Sequence, residues 1–280
     1  MSIRKSIRTA KYLLLFAGLA VAGFKASRYL PSQKRTESAV SVAAKPARSS
    51  ATEYLKPFLP EDRQHRLQQI LYRRSYVVSY NRDTRCPNWV LWELTCDHAD
   101  GDAGRPDYPF HEDMEVPAPR ALPSDYRGCG YDRGHMCPAG DNKWDADAMY
   151  DTFLLTNICP QDRQLNSGLW NRIEMQCRYW AKKHGRVYIV CGPLYLDGEY
   201  RMIGDGRIAI PDAFFKVVLC LEGTPRGIAF ICRNTSGSRT KDCYVNTINE
   251  AEIITGYRFF PGLDGDVAVR VKDEVDLKAW

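Results

Sequence analysis

The apolar positions of this 280-residue chain change period along its length, and each period predicts a different element. Arg63–Arg74 sets Leu67, Ile70 and Leu71 at helical spacing and predicts a short helix. Ser75–Tyr80 (SYVVSY) and Trp89–Leu94 (WVLWEL, led in by Pro87-Asn88) have β-rich composition and predict strands. Leu169–His184 is the clearest helix, because Trp170, Ile173, Cys177 and Trp180 fall on one face. Lys182, Lys183 and His184 fill its last turn and Gly185 stops it, as the helix dipole and C-cap geometry require. Val187–Cys191, Phe214–Leu221 and Gly227–Arg233 predict buried strands, the last two joined by a Glu-Gly-Thr-Pro-Arg hairpin turn. Thr247–Thr255 predicts a short helix ended by Gly256. Residues 97–127, acidic and rich in Pro and Gly, and the polar stretch 234–242 predict loops. Strands and helices do not alternate regularly, so the pattern favours a mixed α+β domain over a doubly wound sheet.

Composition changes one part of this picture. An apolar fraction of 44% with 16 Tyr, 10 Phe and 6 Trp is enough for a substantial core. The formal net charge of +5 suggests a basic, nucleic-acid-binding protein, but its distribution does not. Residues 1–50 hold ten Lys/Arg against one acid, Glu37, a net of +9. Residues 51–280 hold 29 Lys/Arg against 33 Asp/Glu, a net of −4. Any nucleic-acid contact therefore comes from a local patch, not from the overall field.

The basic start has its own reading. Arg4, Lys5, Arg8 and Lys11 precede an uncharged run of 13 residues, Tyr12–Phe24. That is short for a membrane span of about 20 residues and suits the apolar core of a signal peptide. Residues 1–26 are thus expected to be a signal peptide or an N-terminal anchor, and the protein to be exported to the periplasm or the exterior. An acid-poor start with Arg and Ser also fits a mitochondrial presequence. Residues 27–50, without periodicity, read as a flexible linker, and 51–280 as a single domain. The ten cysteines form an even set, which in an exported protein favours disulfides. Cys86 with Cys96 and Cys129 with Cys137 bracket short segments and suggest pairs, although sequence does not fix connectivity. Cys191, Cys220 and Cys232 also read as small buried hydrophobes.

The chemistry-bearing residues concentrate in one segment, Tyr131-Asp132-Arg133-Gly134-His135, with Asn157, Asn166, Glu174 and Arg178 downstream. His135 can take a proton from water near neutral pH. Gly134 lets backbone and ring come close to a substrate strand. Arg133 offers a planar fork suited to phosphate oxygens. Mg²⁺ prefers oxygen ligands and keeps several waters, so one or two protein oxygens suffice, and Asn166 can supply one. Glu174 and Arg178 lie eight and twelve residues beyond Asn166, a slanted ridge on one side of a continuous α-helix. Taken singly, each has a bland explanation: Asn166 as an N-cap, Glu174 with Arg178 as a helix salt bridge worth about 0.3–0.5 kcal/mol.

The motifs Tyr131–His135, Thr156-Asn157-Ile158-Cys159-Pro160-Gln161, Leu165-Asn166-Ser167-Gly168, Trp170 and Arg172-Ile173-Glu174 together resemble the DNA/RNA non-specific endonuclease family. The resemblance runs from about Ser75 to Phe260 and takes in Gly192-Pro193-Leu194, Ile210–Lys216 and Thr255-Gly256-Tyr257. It implies a ββα-metal nuclease fold, a mostly antiparallel central sheet flanked by helices. It implies that His135 is the general base, Asn166 the direct Mg²⁺ ligand (Mn²⁺ substituting), Glu174 the carboxylate that orients metal-bound water and Arg178 the phosphate arginine. Arg133 matches the motif arginine near the substrate strand, Asn157 an asparagine that supports the site, and Asp132 a residue that orients without ligating. The implied reaction is endonucleolytic hydrolysis of DNA and RNA, giving 5′-phosphate ends. A catalytically inactive nucleic-acid-binding relative and a Cys/His zinc module are the alternatives, and N-terminal anchoring and a homodimer stay open.

Overall fold

The computed structural model describes residues 52–103, 108–196, 198–236 and 240–280. The expected leader (1–26) and linker (27–50) lie outside them. In chain order the strands are β1 (Glu61–Asp62), β2 (Gln69–Tyr72), β3 (Tyr76–Asn81), β4 (Cys86–Thr95), β5 (Asp132–His135), β6 (Ile158–Gln161) and β7 (Arg186–Leu194). They continue with β8 (Met202–Ile203), β9 (Ile208–Ala209), β10 (Ala213–Cys220), β11 (Arg226–Arg233), β12 (Val245–Asn246) and β13 (Tyr257–Arg258). The α-helices are α1 (Cys96–Asp100), α2 (Ala146–Asp151), α3 (Asn171–His184), α4 (Ile248–Thr255) and α5 (Gly265–Asp273).

Seven strands form one antiparallel sheet in the order β12-β11-β10-β7-β4-β3-β2. Its central strands are covered on both faces, which is why their sequences read as unbroken apolar runs. On one face Val90, Trp92, Ile189, Cys191, Phe214 and Val218 pack with Ile173, Cys177 and Trp180 of α3. On the other, Trp89, Leu91, Val190, Phe215 and Val217 pack with Ile248 and Ala251 of α4 and Val271 of α5. Phe214 and Phe215 illustrate the period of two: adjacent in sequence, both wholly buried, on opposite faces. Burial of each such side chain contributes about 1.5–3 kcal/mol.

Most predicted elements are present, including the β10–β11 hairpin and helix α4 with its Thr247 cap, Glu250 capping box and Gly256 at φ 75°. The helix expected at Arg63–Arg74 is not. Gln69–Tyr72 pairs with β3 at the sheet edge, sending Leu71 to one core and Ile70 and Tyr72 to the other. Three apolar residues at helical spacing are too few to outweigh that two-sided burial. The helix expected from Leu169 is regular α only from Asn171; Leu165–Trp170 is a wide π-type turn.

The disulfide expectation is also corrected, since all ten cysteines are free thiols. Strand β4 runs from Cys86 to Thr95 without a break, so Cys86 and Cys96 stand about 30 Å apart, where a disulfide needs under about 7 Å. Cys129, half-buried, accepts from the Tyr131 amide at 3.4 Å; Cys137, buried, accepts from Asn142 Nδ2 at 3.4 Å.

Candidate active site

Strands β5 and β6 pair antiparallel apart from the main sheet, with Gly134 opposite Cys159 and His135 opposite Ile158. Gly134 is required by this pairing. A Cβ there would stand 2.6 Å from Cβ of Gln161, whose buried side chain fills the space. The glycine thus makes room for the neighbouring strand, a different reason from the substrate approach that the sequence suggested.

Asn157, wholly buried, holds the chain that leaves the histidine. Its Oδ1 accepts from the Cys137 amide at 2.9 Å, and its Nδ2 donates to the carbonyls of Cys137 (2.9 Å) and Thr152 (2.8 Å). Its backbone carbonyl takes the Met136 amide at 2.9 Å. Both ends of the amide are thus bonded within the fold. The imidazole of His135 packs against two rings, Phe110 at 5.3 Å and Phe153 at 5.1 Å between centroids, which also touch each other at 5.2 Å. Arg133, two residues back, has its guanidinium 5.2 Å from the Phe110 centroid and 5.7 Å from that of Tyr126, and its Nη2 donates to the Pro123 carbonyl at 3.3 Å. Phe110 therefore touches both His135 and Arg133, a role that its place in the predicted loop 97–127 concealed.

Asn166 stands in the wide turn that follows β6. The cap of that turn is Asp162, whose Oδ1 accepts the amides of Gln164 (2.9 Å) and Leu165 (3.0 Å). Asn166 is thereby spared capping duty. Its Nδ2 donates to Asp132 Oδ2 at 3.0 Å, and among the described residues nothing donates to its Oδ1. A carboxylate accepts only, so the contact fixes which end of the amide is nitrogen and leaves the oxygen open. Asp132 also receives Arg163 Nε at 3.3 Å.

On α3, Arg178 Nη1 donates to Asp141 Oδ1 at 2.8 Å, and Asp141 Oδ2 accepts Trp92 Nε1 at 3.1 Å. Asp141 is buried and six residues beyond His135, so the chain leaving the histidine clamps the arginine directly. Burial pushes the Asp141 carboxyl up, against the pull of Arg178. Burial also pulls Arg178 down, but Asp141 outweighs it and the guanidinium stays above its ordinary value. Glu174 makes no side-chain hydrogen bond among the described residues, and burial raises its pKa to about 7, opposed by Lys216 and Arg178 and reinforced by Asp141. The wide turn breaks the continuous ridge that the i+4 spacing suggested: Glu174 and Arg178 share regular α-helix, whereas Asn166 precedes it with a different phase.

Among the expected residues, His135 and Arg133 share Phe110, Asp132 bonds Asn166, and Arg178 pairs with Asp141 one turn beyond Glu174 on the same helix. The sequence reading missed Asp141, Phe110, Phe153 and Lys216. Only Lys216 left a signal, as the one charge inside the apolar strand Phe214–Leu221. The open amide oxygen of Asn166 is a donor of the kind a hard divalent cation takes.

A family model described as DNA/RNA non-specific endonuclease matches residues 59–266. The chain belongs to this family. It is 39% identical over 220 residues to the mouse "Nuclease EXOG, mitochondrial", an alignment that takes in 72% of this chain and 60% of that relative. It is 40% identical over 163 residues to human "Endonuclease G, mitochondrial", 55% of each chain, and 38% identical over 211 residues to "Nuclease C1" of Cunninghamella echinulata, 69% of this chain and 83% of that one. A crystal structure of the EndoG/EndoGI complex matches at a TM-score of 0.71 with 28% identity, over 83% of this chain and 99% of that chain. The antiparallel sheet and that likeness bear out the expected ββα-metal nuclease fold. The chain spans about 60% of the length of the EXOG relative. The expectation of export is corrected, because relatives at 39% and 40% identity are named as mitochondrial nucleases. Among the described residues no helix is long and apolar enough to cross a membrane.

Proposed function

We propose that residues 51–280 are a single endonuclease domain that hydrolyses phosphodiester bonds of DNA and RNA with Mg²⁺, Mn²⁺ substituting, and leaves 5′-phosphate ends. The observation that carries the reading is the Asp132–Asn166 contact, which spends the amide nitrogen and leaves the amide oxygen open. Asn166 would hold the metal through that oxygen, and Glu174 would orient the water around it. When bound, the cation supplies positive charge against the extra negative charge at phosphorus and the departing oxygen.

The remaining work falls to the chain. His135, its backbone held by β6 and Asn157 and its ring by Phe110 and Phe153, takes a proton from the attacking water. Oxygen adds to phosphorus and the bond to the 3′ oxygen breaks, which leaves the phosphate on the 5′ side. Arg178, braced by Asp141, neutralises charge on the phosphoryl oxygens without reorganising first. Arg133 is stationed to meet the strand beside the scissile bond. The net charge of −4 over 51–280 favours weak, salt-sensitive binding without sequence preference.

We also place the protein in mitochondria, on the acid-poor, arginine-containing start and the mitochondrial relatives. That compartment matches ten free thiols better than an oxidising one does. The test of function is a Mg²⁺-titrated digest of single- and double-stranded DNA and RNA, with ligation to score 5′-phosphate ends. His135→Ala is expected to abolish cleavage with the fold intact, and substantial residual cleavage would reject the base assignment. A fluorescent fusion of residues 1–50 that fails to reach mitochondria would reject the placement.

A further inference from the structure

Arg163 stands beside the site, nothing in the proposed mechanism uses it, and it is held differently from the two arginines already described. Arg178 is clamped on buried Asp141, and Arg133 is packed over Phe110 and Tyr126. The Arg163 side chain is 83% exposed, with its Nε 3.3 Å from Asp132 Oδ1. Among the described residues no acceptor meets its Nη1 or Nη2, so the outer edge of the planar fork is open to solvent. The other oxygen of the same carboxylate accepts Asn166 Nδ2 at 3.0 Å. Asp132 therefore joins two groups with capacity left over: the amide oxygen of Asn166 and the outer nitrogens of Arg163.

The backbone that carries this exposed side chain is fixed. Asn234, buried, accepts the Asp162 amide at 2.7 Å and donates to the carbonyls of Pro160 and Pro211 at 3.1 and 2.9 Å. Asp162 in turn caps the amides of Gln164 and Leu165, and the Arg163 carbonyl accepts Ser167 Oγ at 2.8 Å. With its base and its Nε both held, the guanidinium has little freedom left to lose when it meets an anion. An ion pair this exposed adds little to the stability of the fold, so stability does not account for it. Two parallel N–H donors suit two oxygens of one phosphate. Because residues 51–280 carry a net charge of −4, a nucleic-acid strand must be held by local cations of this kind.

We propose that Arg163 is a substrate-binding residue: its Nη1 and Nη2 grip the backbone phosphate next to the scissile one, and Asp132 keeps that contact in register with Asn166. The inference rests on the nuclease reading of the site and extends it to the neighbouring nucleotide. The pair also masks the Asp132 charge from the approaching strand. A phosphate carries no base identity, so the contact serves every sequence alike.

The experiment follows binding of a fluorescent DNA duplex by anisotropy, in EDTA over a salt series, for wild type, Arg163→Ala, Arg163→Lys and Arg270→Ala. Arg270 is an exposed arginine on α5, which packs on the sheet face away from α3, and it controls for the loss of charge alone. The logarithm of affinity falls linearly with the logarithm of salt, by about 0.9 for each phosphate neutralised. Arg163→Ala is expected to reduce that slope by about 0.9 and to weaken binding several-fold at low salt. Arg163→Lys keeps the charge and should keep most of the slope, and Arg270→Ala should leave it unchanged. In Mg²⁺, Arg163→Ala should raise KM several-fold with kcat within about twofold of wild type. An unchanged slope in Arg163→Ala, an equal fall in Arg270→Ala, or a loss confined to kcat overturns the proposal. The nuclease reading fails separately, by absent Mg²⁺-dependent cleavage in wild type.

Discussion

Replacing Glu174 by Gln should stabilise the metal-free protein while it destroys activity, and the structure gives both sign and size. The carboxyl is raised from an ordinary 4.5 to about 7, first by burial and then by Asp141, against Lys216 and Arg178. A folded-state pKa above the unfolded value means that the native state binds the proton more tightly. The penalty for ionising Glu174 is therefore absent below about pH 4.5, grows as pH rises and is complete above about pH 7. A shift of this size corresponds to at most about 3 kcal/mol, and residual solvent contact at the side chain reduces it to about 1–2 kcal/mol. For a domain of this length that is a rise in melting temperature of about 3–6 °C. The assay is thermal unfolding in EDTA at pH 8 and pH 5, beside Mg²⁺-dependent cleavage. The variant should melt higher at pH 8, with most of the gain lost at pH 5, and cleave at least about a hundredfold more slowly. A variant that melts below wild type at pH 8, or whose gain is independent of pH, refutes the reasoning.

Other residues test other parts of the site. Asn157→Ala removes three buried side-chain hydrogen bonds and should cost about 2–4 kcal/mol, seen as a large drop in urea midpoint; an unchanged midpoint would contradict the positioning role. Asp132→Ala should raise the Mg²⁺ concentration for half-maximal cleavage several-fold and leave stability nearly unchanged, since its partner Arg163 is 83% exposed and such pairs contribute under about 1 kcal/mol. Gly134→Ala forces a Cβ against Gln161 and should destabilise by about 2 kcal/mol or more, measured by the same unfolding curve. Thiol titration of the denatured protein without reductant should count ten, and a reducing agent should leave the melting temperature unmoved; any shortfall would mean that cysteines had paired.

Local pattern was enough for the five inner strands of the main sheet, β3, β4, β7, β10 and β11, and for α3 and α4, because apolar period, caps and stop glycines act within a few residues. It also offered candidate chemical groups from Asp132 to Arg178, because side-chain type is legible regardless of fold. It failed at Arg63–Arg74, where pairing with β3 across the chain outweighed local spacing, and at the cysteines, whose partners depend on distances that only the fold sets. The phase of Asn166 relative to Glu174 was likewise invisible, since a π-type turn has no sequence mark as clear as a capping residue. What tertiary structure alone decided was the support beneath the motif. Asp141 reaches Arg178 from a segment distant in sequence, and Phe110 reaches His135 from a loop. Buried charges require compensation wherever they lie, and that compensation came from whichever strand or turn the sheet brought within range.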